Sequence, residues 1–323
     1  MDCKDILVVL ELDKGALVGV SLENIAAAKT IAGSGKVIAV TTCENAAKKA
    51  IEYGADSAVV LNSDTLAEYN ADAMAEAVVQ LAKEVNPALI ITGATTNGKD
   101  IVPRIAAKLG AGSVNDVIAI KADGNAFVFT VPAFSGNILT DMEIGTPTKV
   151  ISIRGGCFSK NEPETGKTGD ISRKDISVAA DAIRFHIRER VQEISESVNL
   201  EEANVIVAGG RGMGSTEGFN MLKELADVLG GVVGCTRAAY EAGWISRAHQ
   251  VGQSGKIVAP KLYLAFGISG ATQHVSGMIG SKYIVAVNKD EDAPIFEVAD
   301  VGIVGNALEV LPIFIDEFKK LKA

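Results

Sequence analysis

The sequence predicts an α/β protein with two parallel sheets, the second of them a Rossmann-like nucleotide-binding domain. Three observations carry that expectation. Short apolar runs recur along the chain, too continuous for half-exposed hairpins and suited to buried parallel strands. Helical patterns separate the runs, which calls for right-handed crossover connections. Glycines, hydroxyls and amides follow nearly every run in the second half, and in a parallel sheet the carboxyl ends of the strands are where ligands bind.

In chain order, Ile6 to Leu10 reads as a strand with a helix from Leu22, Val37 to Val40 with a helix from Ala46, Ala58 to Leu61 with a helix from Leu66, and Leu89 to Thr92 with a helix from Ile101. Four βα units in succession make the first parallel sheet. The turn Gly93-Ala-Thr-Thr-Asn-Gly98-Lys-Asp puts free backbone N–H groups at a helix N-terminus, a place for an anion. Gly and Asn also simply permit a tight turn, and that is the preferred reading.

From Ser113 to Arg154 the pattern changes to short alternating strands, with turn signals at Asp123-Gly124-Asn125, Pro132 and Thr146-Pro147. It predicts an antiparallel extension of the first sheet. Gly155 to Lys174 reads as an exposed loop, and its Gly166-Lys167-Thr168 lacks the earlier glycine that a P-loop needs. Arg184 to Leu200, with charges of both signs, reads as a connector. The expected organisation is an amino-terminal α/β domain over 1–188, a linker over 189–203 and a nucleotide-binding domain over 204–323.

In that last domain the apolar runs are Val205 to Ala208, Val232 to Val233, Leu262 to Phe266, Tyr283 to Val287 and Val301 to Val304. A helical pattern from Phe219 to Leu229 closes on Gly230-Gly231. After the successive strands come Gly209-Gly-Arg211-Gly, Thr236-Arg237, Gly267-Ile-Ser269, Asn288 and Asn306, all on the carboxyl edge of the sheet. They converge on one crevice, together with the segment Gln250-Val-Gly-Gln-Ser-Gly255.

The loop Gly209-Gly-Arg211-Gly-Met-Gly214 lies between a strand and a helix, but Ser215 stands where GxGxxG has its last glycine. An ordinary NAD-dependent dehydrogenase is therefore demoted to an alternative, beside a non-catalytic nucleotide-binding regulator. Arg211 is placed to pair with a pyrophosphate through its planar fork. Arg237 reads equally as a buried cation stabilising an anionic cofactor ring or as a structural ion pair. His274 opens a helix at the sheet edge, whereas His186 and His249 lack polar surroundings and read as surface or packing residues.

Composition narrows the function. At 323 residues the chain accommodates two domains, and a net charge of −9 argues against nucleic acid or an anionic membrane as partner. No apolar run reaches membrane-spanning length, and the amino terminus resembles neither a signal nor a transit peptide, so a cytoplasmic protein is expected. Cys3, Cys43, Cys157 and Cys235 are scattered without CxxC spacing, which speaks for reduced thiols and against a metal site, a disulfide framework or a fused ferredoxin module. No nucleophile and base pair stands out.

The succession Gly-Gly-Arg211-Gly, Thr236-Arg237-Ala-Ala, Gln250-Val-Gly-Gln-Ser-Gly-Lys256, Leu262 through His274 with Gly-Ile-Ser-Gly-Ala-Thr-Gln-His, Ile284-Val-Ala-Val-Asn288-Lys-Asp and Ala293-Pro-Ile-Phe-Glu-Val-Ala-Asp300 resembles the FAD domain of electron transfer flavoprotein α subunits. Gly93-Ala-Thr-Thr-Asn-Gly-Lys and Pro103-Arg-Ile-Ala-Ala-Lys resemble the amino-terminal half of that family. The resemblance implies FAD as cofactor and a heterodimer with the β subunit, docked through the first domain. It implies electron transfer between flavoprotein dehydrogenases, such as acyl-CoA dehydrogenases, and an acceptor. It leaves open an electron-bifurcating complex with NADH and ferredoxin. By the same likeness Arg237 lies over the isoalloxazine and favours its anionic semiquinone, Ser254 hydrogen-bonds near N5, and His274 lies toward O2. Arg211 and the turn of Ser269, Gly270, Ala271, Thr272 and Gln273 hold the pyrophosphate and ribityl region, Asn288 and Asn306 face the adenosine, and Thr236, Gln250, Val251, Gly252, Gln253, Gly267 and Ala307 complete the cofactor-binding set. The sequence departs from many relatives in carrying Asn at 306 and Thr at 236. A FAD domain that moves on the 184–200 connector is the mechanistic expectation.

Overall fold

A computed structural model describes residues 5–13, 15–123, 126–136, 138–188 and 199–322. The chain divides into two compact units, Met1–Arg190 and Val191–Ala323. In the first, β1 (Ile6–Val9), a short hairpin of β2 (Leu12–Asp13) and β3 (Ala16–Leu17), α1 (Gly19–Ile31), β4 (Val37–Thr41), α2 (Glu44–Glu52), β5 (Ser57–Asn62), α3 (Ala71–Val85), β6 (Leu89–Gly93) and α4 (Thr96–Leu109) follow in order. After them come β7 (Gly112–Val117), β8 (Ala119–Asp123), β9 (Ala126–Ala133), β10 (Ile138–Glu143), β11 (Lys149–Ile153) and β12 (Asp170–Asp175).

Seven of these strands form one sheet in the order β12-β5-β4-β1-β6-β11-β7, every neighbouring pair parallel. Successive side chains alternate between its faces, as a pleat requires. Ile6, Val8, Leu89, Ile91 and Ile151 pack with α1 and α2, while Leu7, Val9, Ile90 and Val150 pack with α3 and α4. Both faces are covered, which is why these strands read as continuous apolar runs.

The strands after α4 divide in a way the alternation did not specify. β8, β9 and β10 form an antiparallel sheet of their own, whereas β7 and β11 join the large sheet in parallel. Val114, Val117, Val150, Ile151 and Ile153 are all buried, so those two segments belong between helical layers. The end of the segment expected to be an exposed loop is in fact the edge strand β12. Its charged side chains are bonded to helices, Arg173 to Glu44 and Lys174 to Glu84, and a polar edge strand gives no apolar signal in sequence. Residues 159–170 are exposed, as expected of the loop. Gly124 and Asn125 of the expected turn, Cys3, and residues 189–198 of the expected connector lie outside the described residues.

The second unit contains β13 (Val205–Gly209), α5 (Thr216–Leu229), β14 (Val232–Cys235), α6 (Arg237–Glu241), β15 (Leu262–Phe266), α7 (Thr272–Val275), β16 (Ile284–Asn288), β17 (Val301–Val304) and α8 (Ala307–Lys322). Its five strands are parallel in the order β14-β13-β15-β16-β17. The chain thus leaves β13 to one side and returns on the other at β15, a topological switch point. Val207, Leu264 and Phe266 face α5 and α8, and Ile206, Ala208, Tyr263 and Ala265 face the opposite layer. Helix α5 starts at Ser215, whose hydroxyl accepts the Gly218 N–H at 3.3 Å, and stops at Gly230 with φ 68°. Ser215 is therefore a helix cap, which accounts for its standing where a dinucleotide fingerprint has glycine.

Candidate functional site

At the switch point of the second sheet the loops after β13 and β15 touch backbone to backbone. Gly210 N–H donates to the Phe266 carbonyl at 3.0 Å and Gly212 N–H to Gly267 at 3.0 Å. A Cβ on Gly210 would fall 2.3 Å from the Gly267 oxygen, so glycine is required for this approach. Arg211, between the two, is exposed, and its side chain has no hydrogen bond or ion pair among the described residues.

Next along the edge, the Thr236 N–H donates to the Gly209 carbonyl at 3.0 Å, and Thr236 stands before the first turn of α6. Its hydroxyl oxygen is buried and has no partner among the described residues. A buried hydroxyl without a partner costs on the order of 1–3 kcal/mol, so the position points to a ligand atom or a water. Arg237 begins α6 and is 66% exposed, paired with Glu241 one turn on at 2.7 Å. Of the two readings of Arg237, the chain by itself shows the ion pair, facing solvent; the Glu241 carboxylate, bonded to the guanidinium, raises the pKa of Arg237 further.

The segment 250–256 folds onto this edge. Val251 N–H donates to Cys235 O at 2.9 Å, and the buried Gln250 amide donates to Ser254 Oγ at 2.9 Å. Gly252 has φ 139°, and a Cβ there would come 2.8 Å from the Gln273 oxygen. The adjoining Gln253 N–H donates to that same oxygen at 2.7 Å. Arg237, Gln253, Ser254 and Gln273 line a cleft of about 470 Å³. Ser269, Ala271 and Thr272 are exposed beside Gln273, and Gly270, at φ 88°, lies so close to Ile295 that a Cβ would sit 2.2 Å from its nitrogen.

Asn288 donates through Nδ2 to the Ile268 carbonyl at 2.8 Å and so ties β16 to the loop after β15. Asn306 accepts the Leu308 N–H at 3.1 Å and caps α8, and Ala307 is buried in the first turn. These two stand after the edge strand β17 and do not line the cleft. His274 is buried, 6% exposed, and turned inward: Nδ1 lies 3.1 Å from the Val251 carbonyl and Nε2 3.0 Å from the Tyr263 hydroxyl. Burial pushes the imidazole down to about 4, against the Val251 hydrogen bond, which favours the charged form. Tyr263 was not signalled by the sequence, since an aromatic residue inside an apolar run reads as a strand former.

The residues fit an anionic dinucleotide. A guanidinium without a partner, an orphaned hydroxyl and glycines that leave no room for side chains share one sheet edge, and among the described residues no carboxylate lines the cleft. Among the described residues no group of His, Cys, Asp and Glu could hold a metal.

The first unit has its own switch point, between β1 and β6. There the Glu11 carboxylate accepts the Thr95 hydroxyl at 2.5 Å and the Asn97 amide at 2.9 Å, while Thr95 caps α4 by accepting the Gly98 N–H at 3.0 Å. The chain's own carboxylate occupies the helix N-terminus where the sequence offered room for an anion.

Residues 6–179 match the model of the electron transfer flavoprotein domain and residues 199–279 that of the electron transfer flavoprotein FAD-binding domain. The chain is 43% identical to the electron transfer flavoprotein subunit alpha of Thermoanaerobacterium thermosaccharolyticum, with 99% of each chain covered. It is 42% identical to that of Bacillus subtilis, covering 98% of each, and 39% identical to that of Megasphaera elsdenii, covering 99% of this chain and 97% of the relative.

Proposed function

Because the chain belongs to the electron transfer flavoprotein family, as an α subunit with the family's FAD-binding domain, we propose that it binds FAD along the carboxyl edge of the second sheet and passes electrons in partnership with a β subunit. The flavin, when bound, supplies the chemistry by taking up and releasing electrons; the protein supplies orientation and charge. Arg211 pairs with the pyrophosphate, whose approach the glycine loops permit. The Thr236 hydroxyl, Arg237, Gln253 and Ser254 surround the ring, and Arg237 favours its electron-rich state. Ser269, Thr272 and Gln273 orient the ribityl chain, with Asn288 and Asn306 toward the adenosine.

The observation that carries this reading is the pairing of an unpartnered guanidinium with a buried, unpartnered hydroxyl on one sheet edge. The electron donor we assign is a flavoprotein dehydrogenase of the acyl-CoA type, and the compartment is the cytoplasm, in keeping with an acidic chain in which no described helix is long and apolar enough to cross a membrane. Co-expression with the β subunit, followed by visible spectra before and after reductant, tests the reading. A yellow complex that bleaches supports it, and a colourless one refutes it. Counting FAD per heterodimer separates simple transfer, with one, from an electron-bifurcating complex working with NADH and ferredoxin, with two.

A further inference from the structure

Tyr263 is fully buried on β15, facing the layer beneath the cleft, and the partner of its hydroxyl is His274 Nε2 at 3.0 Å. The far side of the same ring meets the Val251 carbonyl at 3.1 Å. A carbonyl oxygen can only accept, so Nδ1 carries the proton, Nε2 of the neutral ring offers its lone pair, and the tyrosine donates. The three groups thus form one chain of hydrogen bonds from the sheet to the 250–256 segment. A second tie, Gln253 N–H to the Gln273 carbonyl at 2.7 Å, joins the 250–256 segment to α7, which carries His274. Gly252 and Gly277 meet there with no side chain between them: a Cβ on Gly277 would lie 2.4 Å from Gly252 Cα. Small displacements are therefore not absorbed by rotating side chains, and the hydrogen bonds set the separation.

We propose that Tyr263 is a positioning residue of the cofactor site: through His274 it fixes the segment that carries Gln253 and Ser254, and it holds the imidazole as the neutral Nδ1–H tautomer. The inference rests on the cleft being the FAD site. Among the residues that line the cleft it leaves the positive charge to Arg237, because His274 stays uncharged. The titratable groups on the surrounding elements agree. Cys235, next to Tyr263, has its thiol pushed up to about 12 by burial, and Arg237 on α6 is engaged with Glu241. Lys256 lies on the segment itself.

The test uses the complex with the β subunit, its histidines labelled with ¹⁵N; the chain has three, and His274→Asn identifies the signal. At neutral pH the His274 ring should show a protonated Nδ1 and a bare Nε2. In Tyr263→Phe the titration midpoint of His274 should rise by about one unit or more, since a hydrogen bond to the neutral form has been removed. FAD should dissociate about three- to tenfold faster, as expected for one lost hydrogen bond. A purely packing role would leave the His274 titration where it was. An Nε2–H tautomer in the wild-type complex, or a wild-type His274 that titrates as an ordinary imidazole, overturns the proposal without any variant. So does a folded Tyr263→Phe complex with unchanged titration and unchanged FAD release. A wild-type complex that carries no flavin refutes the functional reading itself, whereas a flavin-loaded complex with the wrong tautomer refutes this inference alone.

Discussion

The two parallel sheets have the same kind of switch point and opposite contents. In the first, Glu11 reaches from the loop after β1 to Thr95 and Asn97 at the start of α4. In the second, the corresponding loops meet through Gly210, Gly212 and Gly267, and the Arg211 side chain and the Thr236 hydroxyl are without partners among the described residues. The same backbone architecture thus holds the chain's own carboxylate at one crevice and leaves polar groups without partners, among the described residues, at the other. Strand order locates a crevice; the polar groups left over within it say whether anything binds.

The largest effect should come from crowding the loop that borders the second crevice. Gly270→Ala puts a methyl against the Ile295 backbone at a positive φ and should cost about 3 kcal/mol or more, with flavin absorbance lost. Gly110→Ala is the control, since φ is 62° there but no atom lies within 4 Å of the added carbon; it should cost about 1 kcal/mol, read from urea midpoints. Glu11→Ala opens the first crevice instead. It should lower stability by about 2 kcal/mol through the two donors it abandons, while FAD per heterodimer stays unchanged. If flavin content falls with Glu11, the two sites are not independent and the comparison fails.

Arg211→Ala should do the reverse, weakening FAD about ten- to a hundredfold in equilibrium dialysis while the flavin-free complex unfolds within about 0.5 kcal/mol of wild type. The smallest effect is in pH. His274 is held neutral in the fold at about 4, below the ordinary value of an imidazole, so between those values the unfolded chain binds the extra proton. Stability contributed this way is present above the ordinary value and is lost as pH falls toward the depressed one. Going from about pH 7.5 to about pH 6 should cost about 0.8 kcal/mol, and His274→Asn should lack that increment.

Strands buried on both faces were legible, because each is a run that apolar side chains alone can explain. β12 was not, since Asp170 to Asp175 is polar along an edge and is stabilised by charges on α2 and α3. The direction of β7 and β11 was not legible either, as alternation reports which face is buried but not which neighbour pairs. In the second unit the glycine loops and the polar residues of the cleft could be read from their place after strands. The exposure of Arg237 could not, because it depends on α6 beginning at that residue and bringing Glu241 alongside. Glu11 escaped notice because its partners lie 84 and 86 residues away in the chain, and Tyr263 because its hydroxyl has meaning only once β15 lies under His274.

An anion that is covalently part of the chain cannot be washed out or run short. The first crevice carries its negative charge in Glu11 whatever the supply of small molecules, whereas the proposed ligand of the second must come from outside the chain.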